Sequence, residues 1–303
     1  MKDDTAGDPM SRQKWSRKDT RQISAEMRAE GIAICANTVA TLLRSQDYSL
    51  RVNRKSIGET QHPDRNEQFE IIAAMKKRFQ AAGQPILSVA TKKKELVGNF
   101  KNPGATWCRD NDPVLVHDFR SAAVAIASPF GMFEPTLNRG TVVVGLSAET
   151  GEFAVDAIEQ WLNTFGWSGY PGMRKLLILC DGGGANHCRA RLWKYRLYQQ
   201  ISRLYGIEVT VCHFPSGASK WNPVEHRLFS FISMEWAGIP LRSLDILLNC
   251  IRSTTTATGL TVEAFLNDRH YEKGISISEA QMKSVCLRRH DRLPNWNYTI
   301  STN

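Results

Sequence analysis

The run Leu176-Leu-Ile-Leu-Cys180 is apolar at every position and leads directly into Asp181 and three glycines. A strand that is covered on both faces has this continuous apolar pattern, as in the parallel part of an α/β sheet. Asp181 then stands where the strand ends and a loop begins. The run therefore predicts a layered α/β fold and places an acidic side chain at the edge of its sheet.

Further segments with regular apolar spacing lie on both sides of this strand. Strands are predicted at 85–90, 141–146 and 207–213, a further early strand is expected among the apolar runs 114–116 and 123–127, and helices are predicted at 66–82, 152–165, 187–205 and 223–236. Early strands joined by turns and later strands joined by helices give a mixed five-stranded sheet flanked by helices. This order is typical of the RNase H-like fold, in which catalytic carboxylates come from the first strand, the end of the fourth strand and a later helix.

The N-terminal part has a different pattern. Apolar residues at helical spacing between 19 and 45, interrupted by Gly31, predict two short helices, with Asn37 or Thr38 placed to cap the second. The pair is either a helix-turn-helix, whose second helix at about 37–45 would present Asn37 and Arg44 to a DNA groove, or an ordinary αα-hairpin.

These patterns divide the chain into four predicted parts. They are an N-terminal tail with the helix-turn-helix-like segment at 1–50, a basic connector and helix at 51–84, an RNase H-like catalytic domain at 85–236 and a helical or irregular extension at 237–303.

The charge balance restricts the class of partner. Lys and Arg outnumber Asp and Glu by 39 to 30, which favours an anionic partner such as nucleic acid. No apolar run is long enough to cross a membrane, and the first residues do not form a signal-peptide core, so we expect a cytoplasmic protein. The seven cysteines lack the spacing of a zinc site, and their odd number argues against a disulfide framework.

Asp181 and Glu225 are the candidate metal ligands. Mg²⁺ prefers oxygen ligands, and carboxylates on a strand end and a nearby helix suit it. Each acid also has a structural interpretation. Asp181 could be a turn residue, and Glu225 stands three residues after Asn222 and two after Pro223, which is the pattern of a capping box at a helix start. The 44 positions between the two acids leave room for one helix and one strand, which favours a shared site.

Basic residues border this site in the sequence. Contacts with DNA phosphates are plausible for these residues, although a solvated charged surface is the usual alternative. The candidates, with one histidine included, are Lys92, Lys93, Lys94, Lys101, Arg189, Lys220 and His226.

Several ordered motifs resemble the Rhodopirellula-type DDE transposases of bacterial insertion sequences. They are Val52-Asn-Arg-Lys55, Gln61-His-Pro-Asp-Arg65, Thr91-Lys-Lys-Lys-Glu-Leu-Val-Gly-Asn-Phe-Lys101, Val116-His-Asp-Phe119, Cys212-His-Phe-Pro215, Ser219-Lys-Trp-Asn222, Val224-Glu-His-Arg-Leu-Phe-Ser230 and Trp296-Asn-Tyr298. The resemblance covers roughly residues 8 to 300, so a chance match is improbable.

The resemblance implies an RNase H-like catalytic domain with two Mg²⁺ or Mn²⁺ ions, which cleaves the element ends and transfers them into target DNA. By position, Asp181 matches the second acid of the family and Glu225 the third. The first acid belongs where this chain has Ala90, just before Thr91. Family members usually also begin earlier, so the chain looks shortened at its N-terminus.

The resemblance therefore implies a DDE transposase that acts on double-stranded DNA, is located in the bacterial cytoplasm with the nucleoid, and assembles as a homo-oligomer on DNA. With Ala90 at the first acid position, we expect it to be inactive as written. The alternative is a catalytically dead DNA-binding remnant or repressor of the parent element. A hydrolase that uses Asp181 with another metal is disfavoured, because no His-rich cluster accompanies that acid.

Overall fold

The computed structural model describes residues 5–7, 14–16, 18–49, 62–110 and 112–302. The chain divides into two compact units, 1–57 and 58–303. Residues 50–61 lie outside the described residues, and they include most of the predicted basic connector, the motif Val52–Lys55 and the first residue of the motif Gln61–Arg65. The boundaries predicted inside the second unit, at 84/85 and 236/237, stay predictions.

The first unit contains an antiparallel strand pair, β1 (Thr5–Gly7) and β2 (Lys14–Ser16), and two helices, α1 (Thr20–Ala29) and α2 (Ala36–Ser45). The predicted helix pair is therefore present. Asp19 caps α1 through a capping box with Gln22. The predicted cap of α2 is wrong, because α2 begins earlier: Cys35 is its N-cap, and Asn37 and Thr38 already lie in its first turn.

The second unit is built on one mixed sheet flanked by helices. Its strands are β3 (Ile86–Thr91), β4 (Glu95–Val97), β5 (Ala125–Glu134), β6 (Arg139–Gly145), β7 (Lys175–Cys180), β8 (Glu208–His213), β9 (Thr261–Asn267), β10 (Leu287–Arg289) and β11 (Asn297–Ile300). Its α-helices are α3 (Arg65–Ala81), α4 (Gly151–Trp161), α5 (Trp167–Gly169), α6 (Arg191–Arg196), α7 (Arg203–Tyr205), α8 (Ser230–Glu235), α9 (Leu244–Arg252) and α10 (Glu279–Lys283).

Five strands form the predicted centre of this sheet, in the order β6-β5-β3-β7-β8. β3 pairs antiparallel with β5 and parallel with β7, and β7 pairs parallel with β8. This mixed order agrees with an RNase H-like fold, so the predicted fold class is confirmed. The sheet is larger than the five strands predicted, because β9 extends it beyond β6, β11 and β10 extend it beyond β8, and β4 pairs with β5.

Helices cover both faces of the central strands. On β7, Leu176 and Ile178 pack into the cluster that contains α4 and α6, whereas Leu177 and Leu179 pack into the cluster beneath α3. The strand is fully buried from Leu176 to Cys180, as its continuous apolar pattern predicted. A third cluster joins α8 and α9 to the other end of the sheet.

The helix predicted at 187–205 begins later than expected. Residues 181–190 form turns, in which the backbone amide of Arg189 donates to Nδ1 of His187, and α6 begins only at Arg191. Two of the basic residues predicted on the surface of this helix make contacts within the protein instead. Lys194 is 5% exposed and donates to the carbonyl of Cys188, and Arg196 pairs with Glu152.

Among the helices in the described part of the chain, none is both long and apolar enough to cross a membrane.

Candidate active site

Position 90 and Asp181 are neighbours across the central parallel pair of strands. The register of β3 and β7 ends with Val89 opposite Cys180, so the next pair along it is Ala90 and Asp181. Residues in register on adjacent strands point to the same face, and adjacent strands lie about 5 Å apart. Both residues line one cleft of about 470 Å³, which the glycines that follow Asp181 also line. Asp181 and Ala90, the two positions that the sequence analysis expected to share a site, therefore lie side by side in the structure.

Glu225 reaches the same region from a helix that packs on the same face of the sheet. It opens a π-helical turn, Glu225–Phe229, which continues into α8. Val224 before it and Leu228 after it are fully buried in the cluster that contains Ala90. π-Helical turns inside helices are frequent at functional sites.

The surroundings of the two acids disfavour their charged forms. Burial raises the pKa of Asp181, and a hydrogen bond from Asn222 opposes this shift more weakly. Burial also raises the pKa of Glu225, and the negative charge of Asp181 raises it further, against the smaller opposite effect of Lys92. Two half-buried carboxylates close enough to repel each other form an arrangement that a cation would stabilise.

Asn222 holds the three segments of the site together. Its Nδ2 donates to Oδ1 of Asp181 at 3.0 Å and to the carbonyl of Val89 at 3.2 Å, while its Oδ1 accepts from the hydroxyl of Ser88. Ser88 in turn accepts from the backbone amide of Val224 at 3.0 Å. The capping-box alternative therefore does not describe the Asn222 side chain: this side chain binds the strands, and the Ser88 hydroxyl accepts from the backbone amide of Val224 at the helix start.

A buried histidine, His213, contacts the backbone of Asp181. The Nδ1 of His213, at the end of β8, lies 3.1 Å from the carbonyl oxygen of Asp181, and its Nε2 lies 3.3 Å from the hydroxyl of Tyr298. Burial lowers the pKa of His213 to about 4, so the ring is neutral near pH 7. A neutral ring that donates from Nδ1 would fix the carbonyl at the strand end.

Glu149 is a cleft residue that the sequence reasoning missed. It lies between β6 and α4 and lines the cleft with Ala90 and Asp181. Its Oε1 accepts from the hydroxyl of Ser128 at 3.0 Å and lies 3.3 Å from Nζ of Lys94. No local signal marks this residue, because its position depends on where the loop after β6 crosses the sheet edge.

The lysines that follow Ala90 are not equivalent. Lys92 is bound at 2.6 Å to Glu95 and packs over the ring of Trp236, and Lys94 pairs with Glu149. Lys93 is exposed. Lys92 and Lys94 therefore contribute to the internal charge balance near the cleft, whereas Lys93 keeps its charge at the surface.

The other candidate DNA contacts are surface residues. In the second unit the exposed candidates are Lys101, Arg189, Lys220 and His226. In the first unit Asn37 and Arg44 are exposed, and their separation by seven residues places them on one side of α2.

Asp181 and Glu225 offer carboxylate oxygens of the kind that a divalent ion prefers, whereas Glu149 is paired with Lys94 and the methyl group of Ala90 offers no donor. Among the residues described, no group of three or more His, Cys, Asp or Glu side chains is arranged to hold a metal ion. The strand order defines an RNase H-like domain, and Asp181 and Glu225 lie close enough together beside its central strands to interact electrostatically.

The family that matches the chain is described as the Rhodopirellula transposase DDE domain, and the match covers residues 1–302. The chain therefore belongs to this family of DDE transposases. A search of the curated proteins found no match.

Solved structures of the Mos1 transposase are similar at low identity. A paired-end complex with the left transposon end is 15% identical, with 79% of this chain and 70% of that chain covered and a TM-score of 0.46. The mariner paired-end complex with Mn is 14% identical, with 79% and 70% covered and a TM-score of 0.45. The strand transfer complex is 12% identical, with 76% and 63% covered and a TM-score of 0.43. Because these scores are low, the fold class rests on the strand order and the family match.

Proposed function

We propose that the chain is the DDE transposase of an insertion sequence that binds double-stranded DNA, at the element ends and at the target, but does not cut or join it as written. The observation that carries this proposal is the pairing of Ala90 with Asp181 across β3 and β7, in one cleft. An intact centre would hold a carboxylate at position 90. Here the strand supplies a methyl group.

In this proposal the residues of the chain have separate roles. Asp181 and Glu225 would hold one Mg²⁺ or Mn²⁺, and the hydrogen bond from Asn222 to Oδ1 of Asp181 would hold that carboxylate in position. A divalent ion at such a centre lowers the pKa of a bound nucleophile and stabilises the leaving oxygen. Removal of one member of a cooperating catalytic set costs about four to six orders of magnitude in rate. We therefore expect no measurable strand cleavage or strand transfer.

The test restores the missing acid. Ala90→Asp and the wild-type chain are assayed with Mg²⁺ or Mn²⁺ on a duplex that carries the ends of the element, with Ala90→Asn as the uncharged control of matched size. We expect cleavage by Ala90→Asp only, faster than the wild type by about four orders of magnitude or more. Circular dichroism and DNA binding of the three proteins show whether each is folded.

Two results would contradict the proposal. If Ala90→Asp folds and binds DNA without cleaving it, the chain is the alternative, a catalytically dead DNA-binding remnant or repressor of its parent element. If the wild-type chain cleaves as fast as Ala90→Asp, position 90 is not an acid position of the site.

The proposal also assigns roles to the two units. Asn37 and Arg44 on α2 would contact DNA as part of a helix-turn-helix, while Lys93, Lys101, Arg189, Lys220 and His226 would contact DNA around the catalytic cleft. Assembly as a homo-oligomer on DNA and a location in the bacterial cytoplasm with the nucleoid remain predictions of the same proposal.

A further inference from the structure

A second groove, of about 580 Å³, lies outside the cleft that contains Asp181. The start of α3 and the segment before it line one side, and Trp221 lines the other; the lining residues are His62, Pro63, Arg65, Asn66, Phe69 and Trp221. Trp221 is 42% exposed, which is unusual for so large an apolar ring. The groove therefore combines a solvent-accessible aromatic surface with polar and basic side chains.

Two cations pack on the ring of Trp221. The guanidinium carbon of Arg65 lies 4.6 Å from the ring centroid, and Nζ of Lys220 lies 4.1 Å from it. Arg65 also lies 5.9 Å from the ring of Phe69. Contacts of this kind hold a cation in place without neutralising its charge.

Arg65 and Lys220 differ from Lys92 and Lys94, which border the catalytic cleft. In the described part of the chain neither has a carboxylate within ion-pair distance, whereas Lys92 and Lys94 are paired with Glu95 and Glu149. Asp64 precedes Arg65 directly in the sequence, but its Oδ2 lies 3.6 Å from Nδ1 of His62. Because neither cation has an ion-pair partner among the described residues, the groove presents a positive potential that favours an anionic ligand.

The groove is connected to the catalytic cleft by a single turn. Ser219–Trp221 forms a 3₁₀ turn, in which Ser219 lines the cleft and Trp221 lines the groove. The next residue, Asn222, binds Asp181 directly. A ligand that is long enough can therefore occupy both depressions across the turn.

We propose that this groove binds the phosphodiester backbone of the DNA strand that enters the catalytic cleft, with Arg65 and Lys220 on phosphates and Trp221 holding both cations in place. The inference rests on the proposed function and names a binding site for its substrate. A guanidinium group matches the geometry of phosphate oxygens, and phosphate contacts provide most of the affinity for DNA. Cations already fixed by the ring lose little side-chain entropy on binding.

The test measures the salt dependence of DNA binding. Wild type, Arg65→Gln, Lys220→Gln and the double variant are titrated with a short duplex of random sequence over a series of salt concentrations. Lys77→Gln is the matched control, since Lys77 is also an exposed cation on α3 but lies 12 positions further along the helix.

Each lost phosphate contact lowers the slope of log K against log salt by about 0.9. We therefore expect each single variant to lose about 0.9 from the slope and the double variant about twice that, while Lys77→Gln changes it little. A slope difference of about 0.9 corresponds to about eightfold in affinity between 1 M and 0.1 M salt.

The variant Trp221→Leu tests the contribution of the aromatic ring independently of the two charges. Both cations remain in this variant, so we expect weaker binding with the wild-type slope. If Arg65→Gln and Lys220→Gln keep the slope of Lys77→Gln while the wild type binds DNA, the groove proposal is overturned and the proposed function stands. If the folded wild-type chain binds no DNA at low salt, both fail.

Discussion

At the scale of single residues, Asn222 has the largest structural role in the site. It is fully buried, and its amide binds Asp181 and Val89 while accepting from Ser88. One side chain thereby connects the strand of position 90, the strand end that carries Asp181 and the segment that leads to Glu225.

Asn222→Ala is expected to destabilise the protein by about 2–4 kcal/mol, because the buried Ser88 and Val89 groups and the half-buried Asp181 carboxylate lose a hydrogen bond each and a small cavity forms. Chemical denaturation followed by circular dichroism measures this change. The control is Asn163→Ala, since the exposed Asn163 makes one bond, to Tyr205, and should cost no more than about 0.5 kcal/mol. Equal losses in the two variants would show that Asn222 is not a structural centre of the site.

At the scale of elements, the segment that carries Glu225 approaches the sheet closely at Gly131. This glycine lies opposite Ala90 on β5, and a Cβ added there would overlap the ring of Phe229. Phe229 closes the π-helical turn that Glu225 opens. The missing side chain at Gly131 therefore sets how near Glu225 can lie to the strand ends.

Gly131→Ala is expected to lower the free energy of unfolding by about 1–3 kcal/mol, because the new methyl group forces the Phe229 ring to move. Thermal unfolding checks this, with Gly183→Ala as the control, since a Cβ at Gly183 meets no atom within 4 Å. A Gly131→Ala variant as stable as Gly183→Ala would mean that the helix shifts freely, and that its distance from the sheet is not fixed by packing.

At the scale of the whole molecule, the C-terminal strands complete the structure around the site. β11 pairs with β8 along its length, and it brings the fully buried Tyr298 beside His213. The extension beyond 236 therefore belongs to the same sheet as the predicted catalytic strands. His213 is enclosed by residues that are distant in sequence, and this enclosure lowers its pKa.

The buried His213 predicts an acid-sensitive fold. Its pKa is about 4 in the folded protein and 6.5 ordinarily, so between these values only the unfolded chain binds the proton. Stability is therefore present above about pH 6.5 and is lost as the pH falls toward 4, by roughly 3 kcal/mol from this residue. Asp181 and Glu225 act in the opposite direction, because their raised pKa values make stability fall as the pH rises.

The contribution of His213 is tested by chemical denaturation of the wild type and of His213→Asn at pH values from 7 to 4. The Asn side chain cannot take up a proton in this range, but its amide can still donate to the carbonyl of Asp181. The wild type should lose stability more steeply than the variant in this interval. Parallel curves for the two proteins would assign the acid sensitivity to other groups.

Much of this architecture could be predicted locally. The uninterrupted apolar run before Asp181 specified a strand buried on both faces, and helical spacing located α3, α4 and the α1–α2 pair. Local patterns did not indicate the partner where a side chain binds residues that are distant in sequence. Asn222 had the sequence of a helix cap, but Ser88 and Asp181 lie close enough in the fold to bind it instead.

Apolar periodicity and ordered motifs were sufficient to predict the layered α/β class and the family from the sequence. The folded protein was needed to show that Ala90 lies beside Asp181, that Glu149 shares their cleft, and that Arg65 and Lys220 pack on one ring. Strand register and helix packing bring together side chains that are separated by many residues, and no local pattern encodes those distances.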